Sequence, residues 1–311
     1  MAERCGLVHA QNVMQDGEAT LSVNIVLHLA PEDRERLLSA NRAIQTALGS
    51  LHIYKCVILN HQDLIKTCED ILRRYSTQDL DLDREFDDVF MEIARKLLNL
   101  SASFSSYVDH QETHFSQTYG KASEVTRAWK AERDVIRDGS IAFPLMRDLR
   151  NYVQHVDLPP LHVSLSSNHD GHSFALALRK KQLLRPSSKW NVRVRDYISS
   201  HQGDIPLLEL VSRWLDCFQA LALYTNNIRL SEAHASAEFI LNTRSAANIR
   251  EGGMIGIWDD YPVEPTRDLQ LQLTWLNEAG ARQLLDFNNA RSIKRRQSQR
   301  SRPTPEEPEN K

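Results

Sequence analysis

A chain of 311 residues supplies ample material for a buried core in one or two domains. Its 41% apolar and 25% charged content and formal net charge of -3 exclude a chain-wide basic field, so any nucleic-acid contact must rest on a local patch. Cys5, Cys56, Cys68 and Cys217 are scattered without a C-x-x-C pair, no secretory signal opens the chain and no apolar run is long enough for a bilayer; free thiols in a reducing cytoplasm, with no membrane partner, are the expectation.

Residues 1–30 read as a weakly patterned leader in which Leu21, Val23, Ile25 and Leu27 alternate with polar or smaller residues and predict one short strand. Pro31 opens a helix with Glu32 and Asp33 in its first turn, where the helix dipole favours negative charge. Leu37, Ile44, Leu48, Leu51, Ile58, Ile65 and Leu72 keep an apolar stripe to about Arg74, with Gly49 a candidate interruption. A second long helix is predicted from Leu82 to about Phe115, burying Phe86, Phe90, Ile93, Leu97, Leu100, Phe104 and Tyr107. Gly120 breaks it. Val125, Trp129 and Ile136 mark a third helix ending near Gly139. Ser140 is placed to cap a fourth, with Pro144 in its first turn and Pro159-Pro160 closing it.

Beyond this proline pair the period changes to two. His162–Ser166 and Ser173–Leu178 flank Asn168-His-Asp-Gly171 as a β-hairpin, followed by a short amphipathic element at Val192–Ile198. A long helix begins at Pro206, with Leu207, Val211, Trp214, Phe218, Leu221 and Ile228 on its stripe and an extension towards Ile240. Gly252-Gly253 open a loop through Pro265; Leu269, Leu271 and Leu273 alternate like a strand, and Leu276–Phe287 reads as a last helix. From Arg291 the composition is basic, then rich in Pro and Glu, which cannot bury a core and is expected to be disordered. The expected division is a leader at 1–30, a helical bundle at 31–160, a hairpin plus C-terminal helices packed on the bundle at 161–290, and a charged tail at 291–311. The expected fold class is mainly α.

The fourth helix holds the residues that point to chemistry. Leu145, Leu149, Tyr152 and Val156 recur at spacings of three and four, as one buried stripe does. Arg150, Asn151, Gln154 and His155 cannot share that stripe. Asn151 and His155 are one turn apart, and Arg150 lies roughly 140° around the axis from His155. A guanidinium, an amide and an imidazole can therefore border one groove.

The wording Leu149-Arg-Asn-Tyr-Val-Gln-His155, with Leu158-Pro159 behind it, resembles the R-x4-6-H motif of HEPN domains. Tyr107-Val-Asp-His-Gln-Glu-Thr-His114 resembles a second shared segment, and the likeness covers about residues 31–160. It implies a HEPN-like helical bundle with an added β-hairpin and a helical C-terminal region. Many HEPN proteins are metal-independent endoribonucleases of toxin–antitoxin and antiviral defence systems, with a cleft formed where two copies meet. The resemblance therefore implies Arg150, Asn151 and His155 as catalytic residues, RNA as substrate, a homodimer, and an antitoxin or other regulatory partner. No cofactor or metal is implied. Tyr152, Gln154, Asp109, His110 and Glu112 are candidates to line the same cleft and bind substrate.

Blander explanations compete at each position. Arg150 can offset the helix dipole or pair with Asp148 or Asp157, and Asn151 and His155 can form a polar rim. His110 and His114 share a helical face, but the glutamate between them is misplaced for H-E-x-x-H and no third ligand is evident. Asp79, Asp81, Asp83, Asp87 and Asp88 lack the glycine and spacing of a calcium loop. Arg179, Lys180, Lys181, Arg185, Lys189, Arg193 and Arg195 surround Trp190, which would let phosphates bind beside a base-stacking ring; a solvated charged face is the plain alternative. The sequence thus supports two functions of different class: a HEPN-type ribonuclease, and a non-catalytic helical module that binds nucleotide, RNA or a protein partner.

Overall fold

The computed structural model describes residues 4–15, 18–169, 171–185, 189–260 and 272–287. Most of them are helical, and two small antiparallel sheets complete the architecture. The charged tail at 291–311, residue 170 of the hairpin turn and all of 261–271, which holds Leu269 and Leu271 of the expected strand, lie outside the described residues.

The chain divides into two units, one built from residues 1–49 and 228–311, the other from residues 50–227. The division falls inside two long helices rather than at Pro159-Pro160. Helix α1 (Pro31–Ser76) and helix α7 (Leu207–Ala246) each contribute one part to each unit. Gly49 does not interrupt α1.

The first unit contains a sheet of order β2-β1-β6-β7, formed by β1 (Arg4–Gln15), β2 (Glu18–His28), β6 (Met254–Asp260) and β7 (Gln272–Trp275). The expected leader is thus a long hairpin, and its first strand pairs with residues some 250 positions later: Leu7 opposes Ile257 and Val8 opposes Gly256. Met254–Asp260, expected as loop, is a strand whose Ile255 and Ile257 are fully buried. Leu7, Val8 and Ala10 of β1 are buried, as are Leu37 and Ile44 of α1 and Ala237 and Ile240 of α7. Gly6 is required where it stands, because a Cβ there would lie 2.2 Å from the Trp258 indole nitrogen. Buried Asn41 is satisfied at both ends: its amide donates to the Trp275 carbonyl and its oxygen accepts from the Asn277 N–H. A last helix, α8, spans 278–287, and its Glu278 receives two bonds from Arg244 of α7 at 2.8 and 2.6 Å.

The second unit is mostly helical. Parts of α1 and α7 are joined by α2 (Leu82–Thr118), α3 (Glu124–Gly139), α4 (Ala142–His155), a β3–β4 hairpin (Leu161–Asn168 and Gly171–Leu178), α5 (Lys180–Leu183), α6 (Val192–Ser200) and the two-residue β5 (Ile205–Pro206). Its core is aromatic. The Phe104 ring meets Phe143, Trp214 and Phe218 edge-on at 5.0, 5.2 and 6.1 Å, a favoured geometry for ring quadrupoles. Trp129 stacks on Phe115 and donates its indole N–H to Thr225 of α7, fixing α3 in place.

Within α1 the buried stripe slips by one residue after Leu51: Val57, Leu64 and Ile71 are buried, whereas Ile58, Ile65 and Leu72 are only partly so. A seven-residue repeat on an ideal helix drifts about 20° per repeat, so a strict extrapolation leaves the core. At the start of α2, Phe86 is 46% exposed and Val89 takes the buried place expected for it.

Candidate functional site

Helix α4 is positioned by the chain on both sides of it. The Ser123 hydroxyl caps α3 at Thr126, and the Ser140 hydroxyl accepts from the Ala142 N–H at the start of α4. Phe143, Leu145, Met146 and Leu149 are buried against the bundle, and the proline pair ends the helix just past His155. With that side fixed, helix geometry places Arg150, Gln154, Arg147, Asn151 and His155 in this angular order over an arc of roughly 140°.

Along that arc Asn151, Gln154 and His155 are exposed, and Arg147 and Arg150 are half-buried. The Arg150 Nη1 donates to Asn151 Oδ1 at 3.3 Å, and its buried Nε has no hydrogen-bond partner among the described residues. Neither carboxylate that competes for Arg150 holds it. Asp148 accepts from the Asn191 N–H at 2.8 Å, and Asp157 faces Arg185 at 3.7 Å. Burial raises the Asp148 carboxyl above its ordinary range against the pull of that hydrogen bond. The side chains of Gln154 and His155 make no hydrogen bond or ion pair among the described residues.

The sequence-expected binding residues separate into two groups. Asp109 of α2 joins the arc through Arg147, whose Nη2 lies 3.5 Å from its carboxylate. Arg147 was not singled out from sequence, although its place one turn before Asn151 is the signal that marks it. His110 is exposed on the same helix. Glu112 turns instead towards α3, where Lys130 Nζ and Arg133 Nη1 approach it at 3.0 and 2.7 Å. Burial works to raise its carboxyl, but these two cations outweigh burial and hold it below the ordinary range. Tyr152 is only 4% exposed and stacks on Trp190 with ring centroids 5.4 Å apart and planes 10° from parallel. It is a packing residue, not one presented to a substrate.

That stack also changes the reading of the basic run. One face of Trp190 is covered by Tyr152, and its N–H donates to the Leu183 carbonyl at 2.6 Å. Lys180 is tied to the carbonyls of Ser199 and His201, and Arg193 to those of Arg137 and Asp138. These cations act as local fasteners, while Arg179, Lys181, Lys189 and Arg195 remain exposed. Among the described residues no group of three or more His, Cys, Asp or Glu side chains is arranged to hold a metal ion; His114 instead lies 3.3 Å from the Thr118 hydroxyl.

A groove of about 750 Å³ runs between α1 and α2 and is bordered by Leu158, three residues past His155. Arg73, Arg74 and Arg95 line it, but each pairs with a carboxylate, Asp70, Glu85 and Glu92 respectively. It is therefore a mixed-charge groove and not a basic cleft. Among the described residues no helix is long and apolar enough to cross a membrane. No protein-family model, curated protein or solved structure matches this chain.

Proposed function

We propose that the chain is a metal-independent endoribonuclease of HEPN type, with the polar arc of α4 as its active site. The observation that supports this most is the freedom of the arc. Among the described residues Asn151 and His155 are exposed, His155 makes no hydrogen bond or ion pair, and the Arg150 side chain bonds only to its neighbour Asn151. Structural arginines and histidines are ordinarily consumed by internal partners, as Arg193 and Arg244 are in this chain.

The chemistry follows from the side chains. An imidazole, with an ordinary pKa of about 6.5, is available in both protonation states near neutrality. His155 takes the proton of an RNA 2′-hydroxyl as its oxygen attacks the adjacent phosphorus. The P–O5′ bond breaks, and a protonated imidazole, the same one in turn or that of a second copy, gives a proton to the leaving 5′-oxygen. Products are a 2′,3′-cyclic phosphate and a 5′-hydroxyl. The planar guanidinium of Arg150 pairs with phosphate oxygens and offsets the charge gathering on them. Asn151 orients Arg150 and offers its amide N–H to substrate, and Gln154 lines the approach. A homodimer would bring two such arcs together, and a regulatory partner in a cytoplasmic toxin or defence system would hold the activity in check.

The test uses the full chain and single-stranded RNA in EDTA. Cleavage leaving 2′,3′-cyclic phosphate ends, with no cleavage of an all-2′-deoxy strand, is the expected result. RNA binding without turnover, abolished by Arg150→Ala, would establish the non-catalytic binding module in its place.

A further inference from the structure

Strand β2 is an edge of the first unit's sheet. It pairs with β1 from Gln15 opposite Glu18 to Gly6 opposite His28, and among the described residues nothing pairs with its outer side. An open edge displays a row of backbone donors and acceptors that another strand can complete, and soluble proteins ordinarily guard it with lysine, proline or a short strand. Here Thr20–His28 contains no Lys, Arg, Asp, Glu or Pro. Its one irregularity, a register shift between Leu7 and Val8, leaves the run from Glu18 to Ile25 regular.

The side chains beside this edge are apolar and open. Val23 opposes Ala10 and Ile25 opposes Val8, so both continue the sheet face whose central residues are buried, yet they are 40% and 57% exposed. Leu21, on the same face, is 48% exposed, and Val26 and Leu27 are also exposed. Leu21, Val23, Ile25, Val26 and Leu27 together make an exposed apolar border along the edge, and a strand pairing there covers the flanks of these side chains together with the open backbone groups.

We infer that the outer edge of β2 binds a second copy of this chain, β2 to β2 in antiparallel register, joining two four-stranded sheets into one of eight strands. The sequence favours its own copy as occupant. A two-fold axis through Val23 sets Leu21 opposite the partner's Ile25 and Val23 opposite itself, so the apolar face stays continuous across the joint. An axis between two residues would instead put that face beside Ser22 and Asn24. The uncharged run meets itself without like-charge repulsion. This inference does not rest on the ribonuclease reading, whose arc-to-arc contact is a separate interface that a β2 cross-link does not report.

Sedimentation velocity of the full chain at about 50 µM is expected to show a dimer, and Val23→Lys with Ile25→Lys to weaken it at least tenfold. Both positions are exposed, and an unchanged circular dichroism spectrum shows that the variant folds. In a Cys56→Ser background, Val23→Cys is expected to form a disulfide-linked dimer on mild oxidation. A monomeric parent overturns the inference, whether the β2 amides exchange freely or are protected by another segment of the same chain. A dimer that persists in the double lysine variant, with no disulfide-linked dimer formed by Val23→Cys, also overturns it, since the interface then lies elsewhere.

Discussion

Tyr152 sits between two residues of the proposed site, so removing its ring tests whether it belongs to the packing or to the chemistry. The side chain is 4% exposed and lies flat against Trp190, which is itself held by its bond to Leu183. Truncating a buried aromatic to alanine costs about 3–5 kcal/mol, and loss of a stacked partner falls within that figure rather than adding fully to it. The second unit is 178 residues long, a size at which 1 kcal/mol moves the midpoint by about 2–4 °C. Tyr152→Ala is therefore expected to lower the melting temperature by about 6–20 °C, read by far-ultraviolet circular dichroism. Tyr152→Phe keeps the stack and is expected to stay within about 1 kcal/mol of the parent, with RNA cleavage intact. A Tyr152→Ala variant as stable as the parent would show that the ring is not packed. A Tyr152→Phe variant that folds normally but cannot cleave RNA would return the hydroxyl to the active site.

Cys68 is buried, and burial first, then the Glu69 carboxylate, pushes its thiol up to about 12 from an ordinary 9.0. Cys68 is therefore expected to resist alkylation at pH 8 while exposed Cys56 reacts. The folded state keeps a proton that the unfolded chain gives up, so this contribution is complete below pH 9 and is lost as pH rises from about 9 towards 12. The loss is at most about 4 kcal/mol, and urea midpoints for Cys68→Ala should fall less steeply over that window. Gly6→Ala places a Cβ against the Trp258 indole and the Leu27 carbonyl, and is expected to cost about 1–3 kcal/mol in denaturant unfolding; no loss would mean that the sheet yields there.

The helices were legible because their burial follows a local period. Leu145 and Leu149 announce the inner side of α4, and subtraction leaves the polar arc on the outer side. In the first unit's sheet β2 was legible from the alternation of Leu21, Val23, Ile25 and Leu27 and β7 in part from Leu273, but β1 and β6 were not, for the opposite reason. β1 has a glycine and several polar residues, β6 follows a Gly-Gly pair, and the two pair with each other across most of the chain length. Such pairing leaves little trace in a short window. The same limit separated the site residues. Asp109 and Glu112 are three apart on α2, yet one meets Arg147 of α4 and the other meets Lys130 and Arg133 of α3. Spacing along a helix names its neighbours on that helix, whereas the cations on adjoining helices decide where each carboxylate is used.

We propose that the imidazole at the end of α4, which makes no hydrogen bond or ion pair among the described residues, moves protons for RNA cleavage. Single-turnover cleavage in EDTA by His155→Ala, beside the parent, tests it most directly. His155 is exposed and makes no internal bond among the described residues, so the variant should melt with the parent. Its cleavage rate should nonetheless fall by about 10²–10⁴-fold, the usual effect of removing a general acid–base group. Cleavage at the parental rate by His155→Ala would show that this imidazole moves no proton in the reaction.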